Sequence, residues 1–137
     1  IQSAVLSCLM GIFEYKQLDF LTKVYDNEMM IKDNAALEEF KRVCGEYDDS
    51  AAGRLGLSGH PSSSEMISLA TRKSEDWNYE YQCSYHRSAD DSLLYQILSQ
   101  SYALLGEDIG AASERMAEAE KTIRISRYFM YGKQNCD

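Results

Sequence analysis

Apolar residues return every three or four positions through most of this chain. Phe20, Leu21, Val24, Tyr25 and Met29 do so in one segment, and Leu37, Phe40 and Val43 in the next. Leu94, Ile97, Leu98, Tyr102 and Leu105 form a third stripe, and Ala112, Met116, Ala119 and Ile123 a fourth. Such spacing puts side chains on one face of an α-helix, whereas a half-buried strand needs strict alternation. Alternation occurs at WNYEYQCSY (77–85) and at Ile123 and Ile125. In the first of these, Trp77, Tyr81 and Tyr85 also lie four apart, and a strand there lacks a convincing partner, so a helix is expected. The fold class that follows is all-α.

Boundary signals divide the chain into helices. Positions 2–14 are almost all apolar and suit a helix buried on most sides; a leftover signal peptide is the competing reading, opposed by the lack of a basic leading segment. An amphipathic helix is expected over Leu18 to Lys32, then another capped by Asp33 or Asn34 and stopped by Gly45. Residues 46–62 hold three of the eight glycines and the only proline, and read as the longest irregular stretch. Ser62 and Glu65 have capping-box spacing. Asp90 or Asp91 is expected to cap the next helix and Gly106 to end it. A last helix is expected from Asp108, with Gly132 as its stop. No repeat or linker interrupts the series, so residues 1–137 read as one domain, a bundle of five or six helices.

Cys8, Cys44, Cys83 and Cys136 are separated by 35, 38 and 52 residues. Zinc ligands come in close pairs, and only Cys83 with His86 approaches that, so no metal is expected. An even number of well-spread cysteines, with Ile1 rather than Met leading, predicts a mature secreted, extracellular protein tied by two disulfides. The expected pairs are Cys8 with Cys44 and Cys83 with Cys136, because the ends of alternate helices meet in a bundle.

A net charge of −8 argues against nucleic acid, whose binding rests on cations that displace counterions. No apolar run reaches the roughly 18 residues of a membrane span. Enzyme signatures are weak. His60 and His86 are the only histidines and neither has a catalytic context; GRLGLSG (53–59) lacks the Lys-Ser/Thr ending of a phosphate-binding loop; and the paired acids at 48–49, 90–91 and 107–108 lack the pattern of a calcium loop. No enzyme activity and no cofactor are expected.

Two features point toward recognition. Trp77, Tyr79, Tyr81 and Tyr85 cannot all face inward on one helix, since Tyr79 departs from the stripe, so Trp77 and Tyr79 are candidate contact residues. The run KTIRISRYFMYGK (121–133) contains Lys121, Arg124, Arg127 and Lys133 and no acid; removing those four charges from the −8 total leaves −12 on the remainder. Cations near a helix end can simply complement its dipole. Arginine and tyrosine are also enriched among residues that dominate interface energies, making Arg124, Arg127, Tyr128 and Tyr131 the second candidate surface.

In general kind the chain resembles the small disulfide-tied helical proteins secreted by parasites and blood-feeding arthropods, many of which bind host proteins or carry small ligands. The close cysteine spacings of insect odorant-binding and chemosensory proteins are absent. The expected function is therefore a secreted, non-enzymatic protein that binds another protein as inhibitor, effector or recognition factor. The alternative is a carrier of a small apolar ligand between helices.

Overall fold

The computed structural model describes residues 12–135, with side chains described for 15–130. Five α-helices are present among them: α1 (Ile12–Tyr25), α2 (Asn34–Val43), α3 (Ala51–Arg54), α4 (Ser63–Gln82) and α5 (Ala89–Asn135), with a 3₁₀ turn at Ser84–His86. No strand occurs among the described residues. Residues 77–82 are helical, as the four-residue spacing of Trp77 and Tyr81 requires. The amphipathic stripe of the first segment is carried by α1, which passes through 15–17 unbroken and ends at Tyr25 rather than Lys32. Asn27, at φ 58°, turns the chain out of the helix.

Several boundaries are set by the expected residues. Asp33 accepts a hydrogen bond from the Ala36 N–H at 3.1 Å, and Ser62 accepts from the Glu65 N–H at 3.1 Å. Gly45 adopts φ +86°, the left-handed conformation that ends α2. The glycine-rich segment 46–62 is not wholly irregular, because Ser50 caps the short α3 by accepting from the Gly53 N–H.

The main correction concerns the end of the chain. Gly106 does not end a helix, Asp108 does not begin one, and Gly132 is not a stop: α5 is a single helix of 47 residues, about 70 Å long at 1.5 Å per residue. A Cβ at Gly106 would lie 3.4 Å from the Ala70 methyl, and one at Gly110 would lie 3.9 Å from Ile67 Cδ1. These glycines bring α4 close to α5. Asp90 and Asp91 are not the cap either. Ser88 takes that place, its hydroxyl accepting from the Asp91 N–H at 3.2 Å.

The core lies where α1, α2 and α4 cover the first half of α5. Phe20, Phe40, Val43, Ala70, Leu94, Tyr95, Leu98, Tyr102, Leu105 and Ile109 are buried there. Ser74 and Ser99 exchange hydroxyl-to-carbonyl hydrogen bonds at 2.7 and 2.8 Å, fixing the register of α4 on α5. Gln17 donates to the buried Ser101 hydroxyl at 2.6 Å and ties α1 to α5.

No disulfide is formed among the described residues, and Cys44 and Cys83 are not bonded to each other. Cys8 and Cys136 lie outside the described residues, as does most of the expected helix over 2–14. Cys83 caps α4 beside the start of α5, while Asn135 stands at the far end of that helix.

Candidate functional site

The stripe on α5 that lines the core continues beyond the body. Tyr95, Leu98, Tyr102, Leu105 and Ile109 are buried at alternating three- and four-residue steps; Ala112, Met116, Ala119, Ile123, Ser126 and Met130 continue the same steps. Spacing that averages 3.5 residues keeps one seam facing one way as the helix winds. The body ends where α4 begins: Ser63 and Met66 share a groove of about 280 Å³ with Ile109, Ala112, Ser113 and Met116. Every residue from 114 to 130 is exposed. That length of α5 has no tertiary partner among the described residues.

The exposed stretch carries both apolar and cationic groups. Tyr128, Phe129 and Met130 are 75%, 68% and 66% exposed, and Met116, Ile123 and Ile125 also face solvent. Tyr128 and Phe129 rings meet edge-on at 6.0 Å. At 100° per residue, Arg124, Arg127 and Tyr128 fall within an arc of about 100°, centred roughly 110° around the helix from the seam. The geometry therefore groups three of the four residues expected to form the basic-aromatic strip. The Tyr131 side chain lies outside those described. No acidic residue lies between 121 and 130, and the nearest acid on the N-terminal side is Glu120, four residues before Arg124.

The second candidate pair separates. Trp77 packs against the core, stacking on Tyr95 at 5.5 Å, and its indole N–H donates to Glu39 Oε2 at 2.7 Å. Tyr79 is 67% exposed and is the member that meets solvent. Both border an open cleft of about 540 Å³ with Asp33, Lys73, Asp76 and Glu80.

Sequence reasoning missed how the buried tyrosines are tied down. Tyr102 donates to Glu39 Oε2 at 2.8 Å, so one carboxylate oxygen serves both Tyr102 and Trp77. Burial and that nearby negative charge push the Tyr102 phenol well above its ordinary range. Tyr95 donates to Asp33 Oδ2 at 2.7 Å, and burial with this hydrogen bond raises its pKa to about 12. Buried Asp91 accepts from the Lys32 and Asp33 N–H groups at 2.9 and 3.3 Å, and Asp90 accepts from the Met30 N–H at 2.8 Å. The acidic pair thus anchors the α1–α2 connection. Its adjacency in sequence signalled only a helix start.

His60 and His86 are exposed, and His86 touches the Tyr85 ring edge-on. No group of three or more His, Cys, Asp or Glu residues is placed to hold a metal among the described residues. No described helix is long and apolar enough to cross a membrane. A groove between α1 and α5, about 240 Å³, is rimmed by Lys16, Asp19 and Lys23 and opens to solvent over Phe20 and Ile97. Comparison with protein families, curated proteins and solved structures finds no match.

Proposed function

We propose that this is a secreted, non-enzymatic binding protein that recognises another protein through Arg124, Arg127 and Tyr128 on the projecting end of α5. The observation that carries this reading is the unbroken exposure of residues 114–130, which include large apolar side chains beside cations. A lone helix in water gains little from its own hydrogen bonds and usually depends on an apolar face being packed. Exposed apolar surface rimmed by polar groups marks interaction sites. Arginine next to tyrosine suits an anchor, because guanidinium groups form bidentate hydrogen bonds and stack on aromatic rings. A partner with an acidic rim complements the strip. Secretion is supported by the even, widely spaced cysteines. Binding a small apolar ligand has less support, since the described grooves are open and bordered by charged residues.

The test is comparative capture from extracellular fluid of the source tissue. Wild type and an Arg124→Ala/Tyr128→Ala variant are immobilised at equal density, and retained proteins are quantified. The proposal expects a protein held by wild type whose affinity for the variant falls about 30-fold, the equivalent of a 2 kcal/mol anchor. Equal retention by a variant that keeps wild-type helicity overturns it.

A further inference from the structure

We infer that the seam of the projecting helix pairs antiparallel with a second copy of this chain. The seam is distinct from the basic-aromatic strip: its packing rests on other side chains than the proposed function does, and only its orientation draws on Arg124 and Arg127. Its residues are Ala112, Met116, Ala119, Ile123, Ser126 and Met130, the direct continuation of the buried series that ends at Ile109.

Register follows from side-chain size. Set antiparallel about residue 121, Ala112 meets the second copy's Met130, Met116 meets its Ser126, and Ala119 meets its Ile123. Each layer then holds one large and one small side chain, keeping the separation of the axes nearly constant. Parallel pairing stacks Met116 on Met116 and Ala119 on Ala119, so the layers alternate between crowded and empty. Knobs-into-holes packing favours the even arrangement.

Charge gives the same orientation. Residues 112–120 carry Glu114, Arg115, Glu118 and Glu120, net −2, and residues 122–130 carry Arg124 and Arg127, net +2. Antiparallel pairing lays −2 against +2 at both ends; parallel pairing lays like on like. Glu120 approaches its copy near the twofold axis, where Arg124, four residues on, supplies each carboxylate with an opposite charge. The body imposes a third constraint. Met66 at the start of α4 borders the groove at Ile109, Ala112 and Met116, so the body flanks the seam at this end. A parallel partner would carry its own body toward this α4, whereas an antiparallel partner carries its body to the opposite end.

The pairing also leaves the strip accessible. Arg124 and Tyr128 lie about 120° and 160° around the helix from the seam and Arg127 about 60°, so a dimer presents two copies of the strip, with Arg127 flanking the seam and Tyr128 facing outward. Two linked sites raise the avidity for a partner that itself presents two epitopes.

Sedimentation equilibrium from about 1 to 500 µM tests the association, a range that brackets a small interface. The inference expects reversible dimerisation, abolished by Ile123→Glu with helicity of the body retained and unchanged in Tyr128→Ala. Orientation is read by cross-linking: Ala119→Cys and Ile123→Cys chains are oxidised separately and mixed, and linked peptides are mapped. A 119-to-123 bond found only in the mixture supports the antiparallel register; 119-to-119 and 123-to-123 bonds in the separate samples overturn it. A monomer at every concentration also overturns the inference. Loss of partner capture in Ile123→Glu, with wild type monomeric, would assign the seam to that partner instead. A monomeric Ile123→Glu chain that still captures the partner leaves the proposed function standing while locating dimerisation on the seam.

Discussion

Gly106 faces Ala70 across the α4–α5 contact, where a Cβ on the glycine would sit 3.4 Å from the alanine methyl. This contact explains why a residue that usually stops helices lies inside one here. It lets the two longest helices approach closely, and α5 runs on past the body. Alanine fits at the edge of ordinary contact and removes the backbone-entropy cost of glycine in a helix. Gly106→Ala should therefore change stability by less than about 1 kcal/mol, whereas Gly106→Leu should destabilise by roughly 1–3 kcal/mol through overpacking. Denaturant titration of both variants checks this, and a Leu variant as stable as wild type would show that the helices are not tightly apposed.

Asp91 is 2% exposed and holds the Lys32 and Asp33 N–H groups. Asp91→Ala leaves those donors without their acceptor and should cost about 2–4 kcal/mol, on the scale of unpaired buried groups and hydrogen bonds to charge. Asp90→Ala, at a more exposed bond, should cost about 1 kcal/mol or less. Amide exchange at Lys32 should accelerate in the Asp91 variant while exchange at Phe40 changes only with global stability.

Glu39 Oε2 accepts from both Trp77 and Tyr102. Glu39→Ala should cost about 2–3 kcal/mol, more than Trp77→Phe loses through the indole bond alone, because two donors lose their acceptor together. The Trp77 fluorescence maximum should also shift as the indole N–H loses its carboxylate. An unchanged spectrum and stability would contradict this shared acceptor.

Alkaline pH should weaken the fold through Tyr95. Its folded pKa is raised to about 12, against about 10 in an unfolded chain. The unfolded state therefore releases its proton first, so the stability contributed by this residue is intact below pH 10 and is lost as pH rises from about 10 to about 12. Difference absorbance of tyrosinate should show Tyr95 titrating late, together with exposed Tyr25, whose hydrogen bond to Glu46 raises it to about 12 as well. Tyr95→Phe should lessen the alkaline fall in stability; an unaltered slope would contradict the assigned cause.

Helical class and the boundaries at Asp33, Gly45 and Ser62 were legible because they depend on local chemistry. Asp33 and Ser62 hold the amides their positions predicted, and the three-to-four spacing of Leu94 through Leu105 marked the buried face of α5. The extent of α5 was not legible, since Gly106 is a stop signal in isolation and a contact surface once Ala70 packs on it. Trp77 was ambiguous for a similar reason. Its stripe position agrees with core and interface alike, and only Glu39 and Tyr95, distant in sequence, decide its orientation. The basic strip could be read from composition, but its projection beyond α4 depends on where a neighbouring helix begins.

Hydrogen exchange over residues 114–130 tests most directly whether the projecting helix is the recognition element. The chain is diluted below its self-association range and compared with the same chain saturated by the protein that comparative capture selects. Amides of 114–130 should exchange quickly alone and become at least about tenfold slower in the complex, while those of 94–105, already buried in the body, remain unchanged. Protection arising elsewhere, with 114–130 still exchanging as in the free chain, would contradict recognition through this helix.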